Sequence, residues 1–182
     1  MLTIKQAAPE DIPVLRAVAF QIWREYYPAI LSREQIDYML EWMYSPAVIQ
    51  NELGAGVVWE LALLEAQTAG FISYAHQKDR AEVKLNKIYL LPSMHGQGLG
   101  RQLLAHVKGR AEALGARRIC LQVNKRNQRA IRAYERAGFR VSESIVSNIG
   151  CGFVMDDYVM TLDLPGTSLH ESGNKATVSP LS

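Results

Sequence analysis

The segment HGQGLGRQLL, residues 95–104, places three glycines within five positions and continues with leucines at helical spacing. The segment before it, NKIYLLP (residues 86–92), has the pattern of a strand that ends at a proline. A strand that passes through a glycine-rich turn into a helix leaves backbone N–H groups free, and the helix dipole adds positive potential there. Such a junction is typical of a phosphate or pyrophosphate site, although a plain tight turn would also use glycines.

Basic residues are concentrated downstream of these glycines. Residues 101–140 carry eleven Lys and Arg and two acidic residues, whereas residues 1–100 carry eight and eleven, and residues 141–182 carry one and five. Solvated helix faces would explain this excess. Together with the glycines, however, it favours a polyanionic ligand near residues 101–140.

Two common nucleotide-binding motifs do not fit the glycine-rich segment. A dinucleotide-binding fingerprint that starts at Gly96 or Gly98 would need further glycines where Arg101 and Leu103 stand. A Walker A loop would need Gly-Lys at positions 101–102, where the sequence has Arg-Gln. Both motifs are therefore excluded.

Periodicity along the chain predicts the order β-α-α-α-β-β-β-α-β-α-β-β, in which the third helix is short. Ser32 and Asn127 are predicted helix N-caps, and a turn around Gln67 to Gly70 is predicted between two strands. This order predicts an α/β fold of the α+β type, a mixed and mainly antiparallel sheet of six to seven strands flanked by helices. We expect one domain over residues 1–164 and a C-terminal tail over residues 165–182.

Two segments together resemble the GNAT superfamily of N-acetyltransferases. IYLLPSMHGQGLGRQLL (residues 88–104) is similar to its pyrophosphate-binding motif, R/Q-x-x-G-x-G/A, and NQRAIRAYERAGF (residues 127–139) is similar to its N-x-x-A-x-x-x-Y-x-x-x-G-F segment. The resemblance covers roughly residues 3–164, and the predicted order of elements agrees with that fold. It implies a single N-acetyltransferase domain that moves an acetyl group from acetyl-CoA to a primary amine of a small molecule or protein, by direct attack in a ternary complex.

The resemblance also implies which residues hold the cofactor. Strand backbone at Ile88, Tyr89 and Leu90 would meet the pantetheine arm, and Asn127 would hydrogen-bond to it. Backbone N–H groups of the turn would wrap the pyrophosphate, and the turn consists of Gly96, Gln97, Gly98, Leu99, Gly100 and Arg101. The candidates for the 3′-phosphate, among which the sequence does not choose, are Arg101, Lys125, Arg126 and Arg129.

Acetyl transfer needs a neutral amine, a polarised thioester carbonyl and a proton or hydrogen bond for the leaving thiolate. By family position the Leu90 N–H is the carbonyl donor, and Tyr134, next to the cofactor, is the acid. Core packing between helix and sheet is the alternative role for Tyr134. The base is left open among Glu82, Asp156 and Asp157, of which the two aspartates would lie on opposite faces of a strand.

Two positions depart from the family pattern. His95 stands where Arg or Gln is usual, and we expect little loss because the main contacts there are made by backbone. Gln122 stands where some protein N-terminal acetyltransferases carry a glutamate base, which disfavours a ribosomal-protein acetylase. Trp23, Tyr26 and Tyr27 lie in the early helical region, which in this family usually forms part of the acceptor site. The alternative role for these three aromatic residues is packing in the core.

Composition limits the remaining possibilities. Two cysteines 31 positions apart and four histidines without ligand spacing predict neither a disulfide nor a metal site, and Cys120 is expected to be a small core residue. The first residues lack the apolar run of a signal peptide, and no stretch has the length of a membrane span. A cytoplasmic protein without a membrane partner is expected.

The charge balance also bears on partners. Outside residues 101–140 there are nine basic and sixteen acidic residues, a formal balance of −7, which predicts a cationic acceptor amine. A catalytically silent acyl-CoA sensor is an alternative, but the intact Asn127 and Tyr134 disfavour it. A nucleic-acid-binding protein is a weaker alternative, because no nucleic-acid-binding pattern accompanies the basic residues. No nucleic acid is expected as a partner, and a homodimer is left open.

Overall fold

The computed structural model describes residues 1–165 of the chain, and its elements follow the predicted order. The strands within these residues are β1 (Leu2–Gln6), β2 (Val58–Leu64), β3 (Gln67–Gln77), β4 (Glu82–Leu90), β5 (Arg118–Asn124), β6 (Arg140–Gly150) and β7 (Phe153–Asp163). The α-helices are α1 (Ile12–Tyr26), α2 (Arg33–Tyr44), α3 (Pro46–Gly54), α4 (Leu99–Ala113) and α5 (Gln128–Arg136). Apart from Pro165, the predicted tail lies outside the described residues.

The strands form one seven-stranded sheet in the order β1-β2-β3-β4-β5-β7-β6, which confirms the predicted mixed and mainly antiparallel sheet. Strands β4 and β5 are parallel neighbours, and they pair only from Glu82↔Arg118 to Leu85↔Leu121. Beyond that point β4 continues to Leu90 and β5 continues to Asn124 without pairing to each other. The sheet therefore opens between the carboxyl ends of its two central strands.

Each face of the sheet carries its own apolar core, as alternation along the strands requires. Phe71 of β3 packs with the helices α1, α2 and α3, whereas its neighbour Ile72 packs with α4 and α5. Helical spacing predicts an apolar stripe on α4 at Leu99, Leu103, Val107, Ala111 and Leu114. The first four are buried, whereas Leu114 follows the last residue of the helix and is 40% exposed. Helices thus flank both faces of the sheet, and the opening between β4 and β5 lies between the two helical layers.

The turn between β2 and β3 was predicted at the wrong residues. It lies at Glu65 and Ala66, which both have positive φ (51° and 66°), and not at Gln67 to Gly70. Gly70 lies inside β3, opposite Leu90, where an added Cβ would be only 2.0 Å from the Tyr89 carbonyl oxygen. This glycine therefore allows close approach of β3 to the end of β4. The sequence prediction assigns Gly70 to a turn, because glycine is common in turns.

Other local predictions are confirmed. The Ser32 hydroxyl accepts a hydrogen bond from the Gln35 N–H at 3.2 Å and caps α2, and Asn127 caps α5. Gly138, which the sequence predicts as the glycine that ends α5, has a φ of 96° and follows the last turn of that helix. Within residues 1–165, none of the helices has the length and apolarity needed to cross a bilayer.

Candidate active site

A cavity of about 990 Å³ occupies the opening between β4 and β5. Its lining comes from α1, α2, β4, the glycine-rich turn, α4, β5, α5 and β7. The predicted cofactor-binding residues that line it are Ile88, Tyr89, Leu90, Gly96, Gly98, Leu99, Gly100, Arg101, Asn127 and Tyr134. Gln97 does not line it, because its exposed side chain turns back to donate to the Ser93 carbonyl oxygen at 3.2 Å.

The backbone of Leu90 faces this opening. The Leu91 N–H donates to the Ala69 carbonyl oxygen on the β3 side at 2.8 Å. Because successive peptide groups of a strand point to opposite sides, the N–H and C=O of Leu90 point away from β3, toward the side that β5 has left. His95 confirms this direction, since its Nε2 donates to the Leu90 carbonyl oxygen at 3.0 Å. The Leu90 N–H is thus directed as a carbonyl donor would need to be.

His95 is held in this position as a neutral ring. Partial burial lowers its pKa, and the positive charge of Arg129 lowers it further, although the bond to Leu90 acts in the opposite direction. The ring also makes an edge contact with Tyr26, with 5.9 Å between centroids. The bond from His95 to Leu90 therefore ties the end of β4 to the turn.

The start of α4 presents backbone donors to the cavity. Gly98 is the N-cap with a φ of 75°, and Gly96 has a φ of 82°, conformations that favour glycine. The first backbone bond of the helix runs from the Gln102 N–H to the Gly98 carbonyl oxygen at 3.2 Å. The N–H groups at positions 99–101 precede that bond and have no partner within the helix. Together with the helix dipole they form an anion-binding end.

Three arginines accompany this end of the cavity. Arg101 and Arg129 line it, as two of the four predicted phosphate candidates, and Arg136 lines it as well. Sequence reasoning missed Arg136, although its spacing of seven residues from Arg129 places both on one side of α5. The end of the cavity beside α4 and α5 therefore carries several positive charges.

The other two phosphate candidates are directed elsewhere. Lys125 forms an ion pair with Asp156 and lies 5.4 Å from the centre of the Tyr158 ring. Arg126 donates from Nη1 to the Ile30 carbonyl oxygen at 3.1 Å. Neither lines the cavity, so the prediction that included them was too broad, because clustering in sequence does not show which side of a loop a side chain takes.

Asn127 connects the two helical layers across the cavity. Its Oδ1 accepts from the Ala130 N–H at 3.2 Å and from the Tyr26 hydroxyl at 2.9 Å. Tyr26 lies 101 positions earlier, so this bond ties the end of α1 to the start of α5. Both contacts use Oδ1, which leaves the Nδ2 group to donate to a ligand.

Tyr134 lies on the face of α5 that lines the cavity, with Ala130, Ala133 and Ala137 beside it. Its ring packs against Phe139 at 5.8 Å, so the side chain also belongs to the packing between helix and sheet. Burial raises the pKa of Tyr134 well above its ordinary value, so the hydroxyl carries its proton at neutral pH. The small neighbours keep the cavity open beside a proton donor.

The two aspartates of β7 lie on opposite faces, as alternation requires. Asp156 is exposed and pairs with Lys125, whereas Asp157 is 6% exposed and lines the cavity. Within residues 1–165, Oδ1 of Asp157 has no hydrogen-bond partner. Burial, and then the charge of Asp156, raise the pKa of Asp157 to about 6, against a lowering by Lys125.

Glu82, the third candidate base, is not in the cavity. It lies at the opposite end of β4, where Cys120 donates from Sγ to its Oε1 at 3.0 Å. Burial, and then the neighbouring Glu82, raise the pKa of the Cys120 thiol to about 12, so this half-buried cysteine is no nucleophile. Glu82 was a wrong candidate because its position along the strand, which decides its distance from the turn, was not considered.

Aromatic and methionine side chains line the far side of the cavity. Trp23, Tyr26 and Tyr27 all contribute, and the Trp23 ring stacks on Tyr27 at 4.2 Å between centroids. Sequence reasoning missed the methionines, which are Met39 and Met43 of α2 and Met155 of β7. Residues spaced four apart on an apolar helix face resemble core residues, so Met39 and Met43 gave no separate signal.

Charges around the cavity differ from the prediction based on whole segments. Among the described residues that line it, Asp157 is the carboxylate, whereas Lys87 is present in addition to the three arginines. Lys87 is buried, donates to Glu52 at 3.3 Å and lies 4.6 Å from the centre of the Trp59 ring. Among the described acidic residues outside positions 101–140, Asp157 is thus the one that lines the cavity.

The chain matches the acetyltransferase (GNAT) family over residues 17–139. It belongs to the GNAT family. An uncharacterized N-acetyltransferase of Mycobacterium tuberculosis is 38% identical over 106 residues, 57% of this chain and 67% of that protein. The spermidine N(1)-acetyltransferase of Thermoplasma acidophilum is 25% identical over 160 residues, 85% of this chain and 96% of that protein. The structure of PaiA N-acetyltransferase from Thermoplasma acidophilum in complex with coenzyme A has a TM-score of 0.77 at 22% identity, covering 90% of this chain and 99% of that one.

These comparisons confirm the resemblance found in the two motifs and the N-acetyltransferase class that it implies. In this GNAT acetyltransferase the cavity has two unlike ends. We call the side formed by β4, the turn, α4 and α5 the donor end, and the side formed by Trp23, Tyr27, Met39, Met155 and Asp157 the acceptor end, after the roles proposed for them below. Tyr26 and Asn127 lie where the two ends meet.

Proposed function

We propose that this protein transfers the acetyl group of acetyl-CoA to a primary amine of a small molecule or a protein, by direct attack in a ternary complex. The observation that carries the proposal is the opening between β4 and β5, which has phosphate-binding features on one side and an aromatic pocket on the other. A single cavity of about 990 Å³ leaves room for two substrates at once.

The donor end supports acetyl-CoA as the co-substrate. The free N–H groups at positions 99–101 would hold the pyrophosphate, and Arg101, Arg129 or Arg136 would meet the 3′-phosphate. The pantetheine arm would lie along β4, with Asn127 donating to it from Nδ2. No metal ion is needed in this arrangement, because backbone and guanidinium donors balance the phosphate charge.

The chemistry follows from groups where the two ends meet. The Leu90 N–H would donate to the thioester oxygen, where negative charge develops as the amine attacks. Tyr134 would then give its proton to the thiolate of CoA as the carbon–sulfur bond breaks. Its raised pKa keeps the hydroxyl protonated at neutral pH, so Tyr134 can donate a hydrogen bond to the sulfur as negative charge develops there.

The nature of the acceptor is proposed from the acceptor end and from one relative. A carboxylate in a cavity that aromatic rings also line suits an amine that arrives with a positive charge. The relative from Thermoplasma acidophilum is named for acetylating spermidine, which supports an amine acceptor. A cytoplasmic location and the absence of nucleic-acid and membrane partners stay predictions of the sequence, and a homodimer stays open.

Acetyl-CoA turnover with a panel of amines tests this function. Release of the CoA thiol and the mass of the acetylated product are measured for arylalkylamines, aliphatic mono- and polyamines and peptide N-termini, with acetyl-CoA alone as the control for hydrolysis. We expect turnover with at least one amine class. Tight CoA binding without acetylation of any amine would instead identify an acyl-CoA sensor.

A further inference from the structure

Asp157 occupies an unusual position for a carboxylate. It lies in the interior of β7, with Asn124 of β5 and Ile145 of β6 as its neighbours in register, and only 6% of the residue is exposed. Within residues 1–165 its Oδ1 accepts no hydrogen bond, although Asp157 lines the cavity. A buried carboxylate without a partner is unfavourable, and a cation bound in the cavity would remove that cost.

The surroundings of Asp157 restrict what that cation can be. Met155, two residues earlier on the same face of β7, lines the cavity, and so do Trp23 of α1, Tyr27 just after α1 and Met39 of α2. Among the described lining residues there is no second carboxylate, and Lys87 already carries a positive charge there. This environment suits one ammonium group on an apolar body, and its described lining offers no second carboxylate to pair with another ammonium.

We infer that Asp157 is the catalytic base, which binds the ammonium of a primary monoamine with an apolar body and takes its proton. This inference rests on the proposed function and assigns the base and the acceptor class within it. Asp156 is its natural comparison, because the same carboxyl group one residue earlier faces solvent and pairs with Lys125.

The proton and electron balance of the step is complete with the residues present. The ammonium gives one proton to Asp157, and the neutral nitrogen attacks the thioester carbon, forming the carbon–nitrogen bond. The carbon–sulfur bond then breaks, its electron pair goes to sulfur, and Tyr134 protonates the thiolate. The second proton of the attacking nitrogen replaces the one that Tyr134 lost, and the proton on Asp157 returns to solvent, so one proton is released in each turnover.

The charges that face Asp157 suit this role. Burial and the neighbouring Asp156 raise its pKa to about 6, while Lys125 lowers it. The carboxylate is therefore ionised at neutral pH, yet it is a stronger base than an ordinary aspartate. The wild-type kcat/KM should rise with pH through about 6 as Asp157 loses its proton.

The test compares Asp157→Asn with Asp156→Asn in steady-state assays with acetyl-CoA and an accepted amine. We expect Asp157→Asn to lower kcat/KM by at least about 100-fold and to lose the rise near pH 6, because the amide accepts no proton. Its affinity for CoA should equal that of the wild type, which shows that the fold and the donor end are intact. Asp156→Asn should keep the plateau rate and move the rise to lower pH, because the variant removes a negative charge and frees Lys125.

The acceptor class is tested with two probes of equal length, pentylamine and 1,5-diaminopentane. We expect the monoamine to have the higher kcat/KM, and a preference for the diamine would overturn the assigned class. A loss below tenfold in Asp157→Asn, with the rise near pH 6 retained, would overturn Asp157 as the base. If the wild type acetylates no amine at all, the proposed function fails instead, so the two failures are distinct.

Discussion

The donor and acceptor ends of the cavity are built in different ways. The donor end comes from two short stretches, residues 88–101 and 127–137, and the groups proposed to bind the phosphates there are largely backbone N–H groups set by glycines. The acceptor end combines the region of α1 and α2 with β7, which begins more than 100 positions after the end of α2, and side chains form its lining. Backbone donors leave a local sequence signature, whereas side chains brought together by the fold do not.

The proposed functions of the two ends differ in the same way as their construction. A cofactor that is common to many enzymes can be bound by a local motif, because its pyrophosphate needs only N–H groups in a fixed geometry. An acceptor is distinguished by the shape and charge of a pocket, so its site varies with the side chains of distant elements. The two ends can therefore be altered separately, and variants that affect one end only will sharpen the comparison.

Tyr134→Phe should have the largest effect, because Tyr134 acts where the ends meet. The variant keeps the ring that packs against Phe139 and removes the proton donor. We expect kcat to fall roughly 10²–10⁴-fold, while CoA affinity and the melting temperature change little. Wild-type turnover with an accepted amine would return Tyr134 to a packing role alone.

Gly100→Val should disrupt the donor end only. Gly100 lines the cavity, and an added Cβ would meet only Cδ1 of Leu90, at 3.8 Å, so the valine methyls would occupy space needed by the pyrophosphate. Charge-assisted bonds contribute about 1.5–3 kcal/mol each, so the loss of one or two should weaken CoA binding roughly 100-fold in calorimetry. Gly98 is the poorer choice, because its φ of 75° would strain any other residue.

Gly109→Ala is the matched control in the same helix. No atom lies within 4 Å of the added Cβ at that position, and Gly109 is on the exposed side of α4. Its CoA affinity should equal that of the wild type, with a small gain in stability. Equal CoA affinities in both variants would mean that the N-terminus of α4 does not bind the pyrophosphate.

Much of the fold could be predicted from the sequence, because hydrophobic period and caps act locally. The seven strands, the N-caps Ser32 and Asn127 and the end of α5 at Gly138 all follow from nearby residues. The turn between β2 and β3 could not be placed, because Gly70 serves a contact between strands that is 20 residues distant along the chain. A glycine needed for close approach and a glycine needed for a turn look the same in sequence.

The residues of the candidate site also fall into two groups, those that the sequence could predict and those that it could not. The positions of Leu90, the glycines and Asn127 were predicted, because each belongs to a motif tied to one turn. The directions of the Lys125 and Arg126 side chains could not be predicted, because the side chain of a loop residue can point to either side of the loop. Alternation along β7 predicted that Asp156 and Asp157 would face opposite ways, but only the packing of α1 and α2 decides which of them is buried.

The smallest expected effect is on stability, and it also separates the two aspartates. The pKa of Asp157 is about 6 in the folded protein, above its ordinary value of 3.8, so the folded state binds the proton more tightly than the unfolded state. The free energy of unfolding should therefore fall as pH rises from about 4 to 6, and stay lowered at pH 7. Asp157→Asn removes this cost and should gain about 2–3 kcal/mol at pH 7, measured by urea unfolding, with no gain near pH 4. Asp156→Asn should gain far less, because Asp156 is exposed and paired with Lys125. If Asp157→Asn lost stability at pH 7 instead, the carboxylate would stabilise the folded protein through contacts of its own. The acceptor end would then hold no unpaired negative charge for the ammonium of a substrate.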